Sequence, residues 1–232
     1  MSSGPRWSTA LGLGIVLAAV GSFTSGPSLA REGDADPAPA EVRITALPGT
    51  VALTFDDGPH PVWTPLVLDV LAAHGVKATF FVLGPKVEAH PDLARRIVAE
   101  GHSLQSHGYG HIDLTGASVG TIAWHVRRGA EAIVTATGTT PTCFRPPYGK
   151  TNGRIRRIAA DQGQRIARWN VDSEDYWRQS SAHLIEQASE WDDGSVVVMH
   201  DTNGHLYAEG TLETMIEVLT RRGLGFSTIC EN

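Results

Sequence analysis

Thr54-Phe55-Asp56-Asp57-Gly58-Pro59, entered from the apolar run Val51-Ala52-Leu53, decides how the chain is read. The apolar run is a buried strand, and Gly-Pro ends it in a turn. Side chains alternate across a strand, so Asp56 and Asp57 cannot share one orientation. Their environments, and therefore their roles, can differ. Parallel α/β folds bind ligands at the carboxyl ends of their strands. Two carboxylates at that place are a candidate for metal binding combined with proton transfer; the plainer alternative is a solvated turn, for which Asp and Gly are common residues.

From about Thr45 onward, apolar segments alternate with helical ones. Strands are predicted at Val51–Phe55, Ala78–Leu83, Ser103–Ser106, Cys143–Phe144, Arg165–Trp169, Val196–His200 and Gly225–Ile229. Helices are predicted from Thr64-Pro65 to His74 and over Pro91–Glu100, Ser118–Thr137, Asn152–Gln162, Ser181–Glu190 and Leu212–Arg222. Glycine follows several helix ends, at Gly75, Gly101, Gly138, Gly163 and Gly223, where a left-handed cap is expected. This alternation predicts an α/β fold around a parallel sheet, open or closed, and the length favours a small or irregular barrel.

The first 30 residues differ from the rest. Arg6 precedes an apolar stretch from Leu11 to Val20, and small residues lead to Ser28-Leu29-Ala30. That order is expected of a secretory signal cleaved after Ala30, with an uncleaved anchor as the alternative. Arg6 is the only charged residue in this segment, so cleavage takes the formal charge from −6 to −7. Residues 31–48, rich in Pro, Ala and Asp, read as a linker, and 49–232 as one catalytic domain. An acidic chain has no general attraction for nucleic acid. The expected location is secreted or cell-wall associated, without stable membrane insertion after cleavage, as a monomer. Export would permit a disulfide between the two cysteines, Cys143 and Cys230, although spacing alone leaves free thiols equally open.

The other chemical groups also sit at strand ends. His107-Gly108-Tyr109-Gly110-His111 follows Ser103–Ser106, and two imidazoles four residues apart can converge on one ion. Imidazole suits zinc and other late first-row metals. With one carboxylate they make three protein ligands, leaving positions for water and substrate, and the second carboxylate is then available as general base. His60, His74, His90, His102, His125 and His183 lie in turns or helices without a partner motif and read as solvated or structural. Arg145-Pro146-Pro147-Tyr148-Gly149 offers an arginine able to hold a carboxylate and a backbone amide able to face an oxyanion. Trp169 to Trp177 is dense in acids and aromatics, and Val196–His200 delivers an imidazole suited to protonating a leaving group.

These elements, in this order, resemble the polysaccharide deacetylase family (carbohydrate esterase family 4, the NodB-homology domain). The resemblance runs from about Val51 to Ile229 and implies a distorted (β/α)7-type barrel. The T-F-D-D-G-P motif is intact and implies Asp56 as catalytic base and Asp57 as metal ligand. The family's H-[ST]-x-x-H corresponds to His107 and His111, the other two ligands. R-P-P-Y-G implies that Arg145 orients Asp56, that the Tyr148 amide meets the oxyanion, and that Pro147 and Tyr148 face substrate. D-x-x-D-W corresponds to Asp172, Asp175 and Tyr176, with Asp175 tuning the catalytic histidine and Trp177 following. L-x-H corresponds to Val198 and His200, the general acid, with Val198 lining an acetyl pocket. Three positions depart from the family: Gly108 for Ser/Thr, which removes a loop-stabilising hydrogen bond, Tyr176 for Trp, and Val198 for Leu.

The implied cofactor is a divalent metal, zinc first and cobalt second. The implied substrate is an acetylated poly- or oligosaccharide, peptidoglycan or chito-oligosaccharide ahead of O-acetyl xylan. A glycoside hydrolase using Asp56 and Asp57 is disfavoured, because adjacent residues rarely span a glycosidic bond. A phosphoesterase would normally need more ligands for two metals. A non-catalytic glycan-binding domain would leave five intact reactive side chains unexplained.

Overall fold

The computed structural model describes residues 44–177, 180–202, 204, 206 and 210–231. The expected signal segment lies outside these residues, as does the expected linker up to residue 43. At the other end of that linker the boundary needs correcting. Ala46 is buried and Ile44 packs with it against the core, because both are apolar and the Ala46 N–H reaches the Gly194 carbonyl. The folded domain therefore already includes residues 44–48. No helix among the described residues is long and apolar enough to cross a membrane.

Strand β1 (Thr50–Asp56) is central. It pairs in parallel with β2 (Thr79–Val82), β7 (Val196–His200) and, at its start, β8 (Gly225–Phe226). The sheet continues through β3 (Ser103–Ser106), β4 (Cys143–Phe144) and β5 (Arg165–Ile166) on one side and β6 (Val171–Asp172) on the other. All of these pairings are parallel. The result is the distorted (β/α)7-type barrel implied by the family resemblance: an α/β fold with a curled parallel sheet wrapped by helices.

Strand parity sorts the residues into two layers. Leu53, Phe55, Phe80, Val82, Leu104, Val197 and Met199 face the helices. There they meet Leu68 and Leu71 of α1 (Trp63–Ala73), Ile97 of α3 (Pro91–Ala99) and Ile216 of α7 (Thr211–Arg221). Each such buried side chain contributes about 1.5–3 kcal/mol. The alternate positions Ala52, Phe81, Cys143, Ala167 and Val196 form a second cluster with Ile229 and Cys230. Asp56 and His200 share the parity of Ala52 and Val196 on their strands, so they face that same interior.

Helices α4 (Val119–Thr137), α5 (Gly153–Asp161) and α6 (Ser181–Glu190) begin one residue after Ser118, Asn152 and Ser180. The side-chain oxygens of those three residues accept from the backbone N–H three positions on. Gly138 ends α4 at φ 75°, as the glycine spacing predicts. Two elements escape the sequence pattern. Helix α2 (Gly84–Ala89) is too short for a helical period, and β6 is two residues inside the acidic-aromatic stretch. Three predicted strands are shorter than expected: β2 loses one residue at each end, β5 ends at Ile166 and β8 at Phe226. Beyond Phe226 the chain turns under the sheet, where Ile229 O accepts from Ser103 Oγ and Ile229 N donates to Thr79 Oγ1.

That turn carries Cys230 to Cys143, and the two form a disulfide with Cα atoms 5.9 Å apart. The bridge spans 87 positions and ties the C-terminal segment to β4. Replacing both cysteines by serine should lower the unfolding free energy by about 2–4 kcal/mol. Urea unfolding of the double variant against the parent measures this, and coincident midpoints would refute it.

Candidate active site

Parallel pairing brings the carboxyl ends of the strands to one rim. Asp56 ends β1 opposite Phe81 of β2 and His200 of β7. His107 extends β3 by donating its N–H to Val82 O, and Arg145 extends β4 by donating to Ser106 O. These residues open on a cavity of about 540 Å³, lined by Asp56, Asp57, His107, His111, Tyr148 and His200 among others.

Asp56 is buried and stays in strand conformation. Arg145, with no exposed surface, donates from Nη1 to Asp56 Oδ1 at 2.7 Å and to Thr54 Oγ1 at 2.7 Å. Its guanidinium lies 3.9 Å from the centre of the Phe81 ring. Burial pulls the Arg145 pKa below its ordinary value and the Asp56 carboxylate opposes that. A guanidinium remains charged in proteins, so this is a buried ion pair.

Asp57 leaves the strand at φ 72°, in the left-handed region. That turn frees it from strand alternation and points Oδ1 at the two imidazoles. Oδ1 lies 3.5 Å from His107 Nε2 and 3.7 Å from His111 Nε2. The three ligand atoms lie within 4.8 Å of one another. Asp57 Oδ1 is buried with no hydrogen-bond donor among the described residues. A buried carboxylate oxygen without a donor is costly unless a cation meets it, so this donor set fits a metal ion. His107 supports the same reading. Its Nδ1 lies 2.7 Å from the Arg145 carbonyl, which can only accept, so Nδ1 carries the proton and Nε2 presents its lone pair to Asp57. Burial also lowers the His107 pKa, against the raising influence of Asp56 and Asp57. His111 is half-buried against the Tyr148 ring, 4.4 Å between centroids.

His200 has the opposite character. Its Nδ1 lies 2.8 Å from Asp175 Oδ1, and its backbone N–H donates to Asp175 Oδ2 at 2.8 Å. Asp175 is fully buried and also accepts from Ser173 Oγ. Burial pushes the His200 pKa down, but the Asp175 hydrogen bond and the charges of Asp175, Asp56 and Asp57 together outweigh it and lift it to about 9. His200 is therefore an imidazolium at neutral pH, with Nδ1 engaged by Asp175 and the residue lining the cavity.

The residues expected to contact substrate divide. Tyr148, Tyr176 and Val198 line the cavity. Tyr148 sits at φ 60°, a left-handed conformation unusual for a residue with a side chain. Tyr176, in place of Trp, stands 5.6 Å edge-on from the His200 ring. Pro147 is buried in the turn, and exposed Trp177 leans on Tyr176 at 5.4 Å; neither lines the cavity. Trp169, Asp172 and Thr202 line it without having been singled out as site residues. Asp201 is a further surprise. It is fully buried under Gly58, accepts from Thr64 Oγ1, and burial, outweighing that bond, raises its carboxyl to about 7. Its one signal in the sequence is strand parity, which turns it away from His200.

The family model described as polysaccharide deacetylase matches residues 44–167. The chain is 38% identical over 200 residues to the peptidoglycan-N-acetylglucosamine deacetylase PgdA of Listeria monocytogenes, covering 83% of this chain but 42% of that protein. It is 38% identical over 152 residues to a chitooligosaccharide deacetylase of Rhizobium leguminosarum bv. trifolii, covering 65% of this chain and 71% of that protein. Among solved structures, a family 4 carbohydrate esterase from Streptomyces lividans in complex with acetate superposes with a TM-score of 0.74 at 33% identity, covering 77% of this chain and 92% of that one. On the family match and on these relatives, the chain belongs to the polysaccharide deacetylase family.

Proposed function

We propose that the protein is a metal-dependent hydrolase that removes acetyl groups from N-acetylated glycans, peptidoglycan or chito-oligosaccharide. The observation that carries this reading is the convergence of Asp57, His107 and His111 beside two ion pairs, Asp56–Arg145 and His200–Asp175, which present a carboxylate and an imidazolium to the cavity. The names of the relatives support the substrate class. The apolar segment and small-residue site within residues 1–30 support action outside the cytoplasm.

Asp57 Oδ1, His107 Nε2 and His111 Nε2 would hold the ion, with zinc ahead of cobalt for this donor set. When bound, a divalent cation there lowers the pKa of water and draws electrons from an acyl carbonyl. The chain's own residues supply the rest. Arg145 fixes Asp56 Oδ1, so Asp56 Oδ2 is the oxygen placed to take a proton from attacking water. The hydroxyl adds to the acetyl carbon, and the Tyr148 amide faces the oxygen that gains charge. His200, held by Asp175, gives its Nε2 proton to the departing amine as the C–N bond breaks, leaving acetate and a free amino sugar. Val198 lies beside the reacting centre as an apolar wall for the acetyl methyl.

Asp56→Asn and His200→Ala should each lower the rate of acetate release from N-acetylchito-oligosaccharide by roughly 100- to 10,000-fold while far-UV circular dichroism stays unchanged. Near-full activity in a contaminant-free preparation would overturn both roles. A chelator should abolish acetate release, and added zinc or cobalt should restore it, with chain length unchanged by mass spectrometry. Parallel assays on peptidoglycan and acetylated xylan identify the substrate class; release from xylan alone would replace the amide reading with an ester one.

The pH profile tests the acid. The His200 pKa is raised, so the imidazolium is present at neutral pH and is lost as pH rises through that value. Asp175→Asn removes the carboxylate that raises it. The alkaline limb of kcat should then move to lower pH by roughly one to three units. An unmoved limb would exclude His200 as the titrating acid.

A further inference from the structure

Of the three residues between the two histidines, Gly108 and Gly110 carry no side chain, while Tyr109 sets its ring edge-on against Trp124 of α4 at 4.9 Å and donates its hydroxyl to Glu88. Gly108 sits at φ 87°, where a Cβ-bearing residue is strained, and its added Cβ would lie 3.3 Å from the Phe144 ring. The segment is held from outside by α4. The Tyr109 N–H donates to the His125 carbonyl at 3.0 Å, and the Gly110 N–H donates to His125 Nδ1 at 3.2 Å. One residue therefore receives both amides that lie immediately before His111. Gly129, one turn further along α4, permits the approach. A Cβ there would come within 2.6–2.8 Å of Gly108 backbone atoms, which cannot move aside as a flexible side chain can. Gly108 itself is tied on its other sides, donating to Ser106 Oγ at 3.1 Å and accepting from Gly84 N at 3.0 Å.

We propose that His125 is a positioning residue for the metal site, its ring and carbonyl setting the separation of His107 and His111. The inference rests on the metal-binding reading of Asp57, His107 and His111. An imidazole that accepts at Nδ1 carries its proton on Nε2 and is neutral, and burial, which lowers the His125 pKa, favours that form. Without the ring acceptor, the Gly110 amide loses its partner and the His111 imidazole is no longer held at its distance from Asp57. Groups that orient ligands from outside typically change metal affinity roughly 10- to 100-fold when removed.

The test is zinc affinity, measured by competition with a chromophoric chelator on the full chain, with the absorption spectrum of the cobalt form as a second readout. His125→Ala should weaken zinc binding roughly tenfold or more and shift the cobalt bands, with the metal-free thermal midpoint unchanged. His125→Asn places an acceptor oxygen near the Nδ1 position and should restore most of the affinity. Zinc bound as tightly by His125→Ala as by the parent would overturn the proposal. So would equal weakening in both variants, since the acceptor would then be irrelevant. Failure of the parent chain itself to bind zinc would instead overturn the metal reading on which the proposal stands.

Discussion

A buried guanidinium holds this site together. Arg145 is fully enclosed, and a charge in that position costs several kcal/mol unless it is paired and hydrogen-bonded. Its Nη1 satisfies both Thr54 and Asp56 on β1, its face lies against Phe81 on β2, and its carbonyl fixes the tautomer of His107 after β3. One residue at the end of a two-residue strand thus couples the proposed base to the proposed metal ligands. The same burial that makes the ion pair costly makes it specific: the Arg145 Nη1 donor on Asp56 Oδ1 fixes the orientation of the carboxylate.

Two pairs of like residues are separated by environment. Asp56 keeps strand geometry and faces an arginine; Asp57 turns left-handed and faces imidazoles. His107 and His200 are both largely enclosed, and burial alone would make both neutral. The difference lies in the partner of Nδ1. A carbonyl leaves His107 neutral with a lone pair to donate, whereas a carboxylate makes His200 an imidazolium with a proton to give. The opposed charge states that the proposed ligand and acid need thus follow from the Nδ1 partner acting with burial at His107 and with the nearby carboxylates at His200.

The departures from the family motifs read differently in three dimensions. Glycine at position 108 suggests a weakened metal loop, since it offers no side-chain hydrogen bond. In the fold, Gly108 takes the left-handed turn and Gly129 lets the loop press directly on α4, where His125 receives it. Support that is local in one arrangement is supplied here from a helix that begins eight positions after His111. Tyr176 still reaches the cavity beside His200, so the change from Trp alters the wall without removing it.

Much of this was legible in the chain. Short segments leading into reactive residues located β3, β4 and β7 to the residue, and the glycines and cap residues located most helix ends, because these are short-range effects of periodicity and backbone sterics. The motifs at Asp56-Asp57, His107…His111 and Arg145 were legible for the same reason: each occupies a few consecutive residues at a strand end. The short elements α2 and β6 fall below the length at which a period can be read. The contacts of Asp201 and His125 were hidden, since nothing next to them in sequence announces Gly58 or Gly110 as a neighbour. The Cys143–Cys230 pairing depended on a turn under the sheet 87 positions away. The sequence by itself determined which residue types stand at the strand ends and which face of each strand they take. Only the tertiary structure decided which of them meet, because that depends on the parallel register between strands far apart in the chain and on burial that no local window contains.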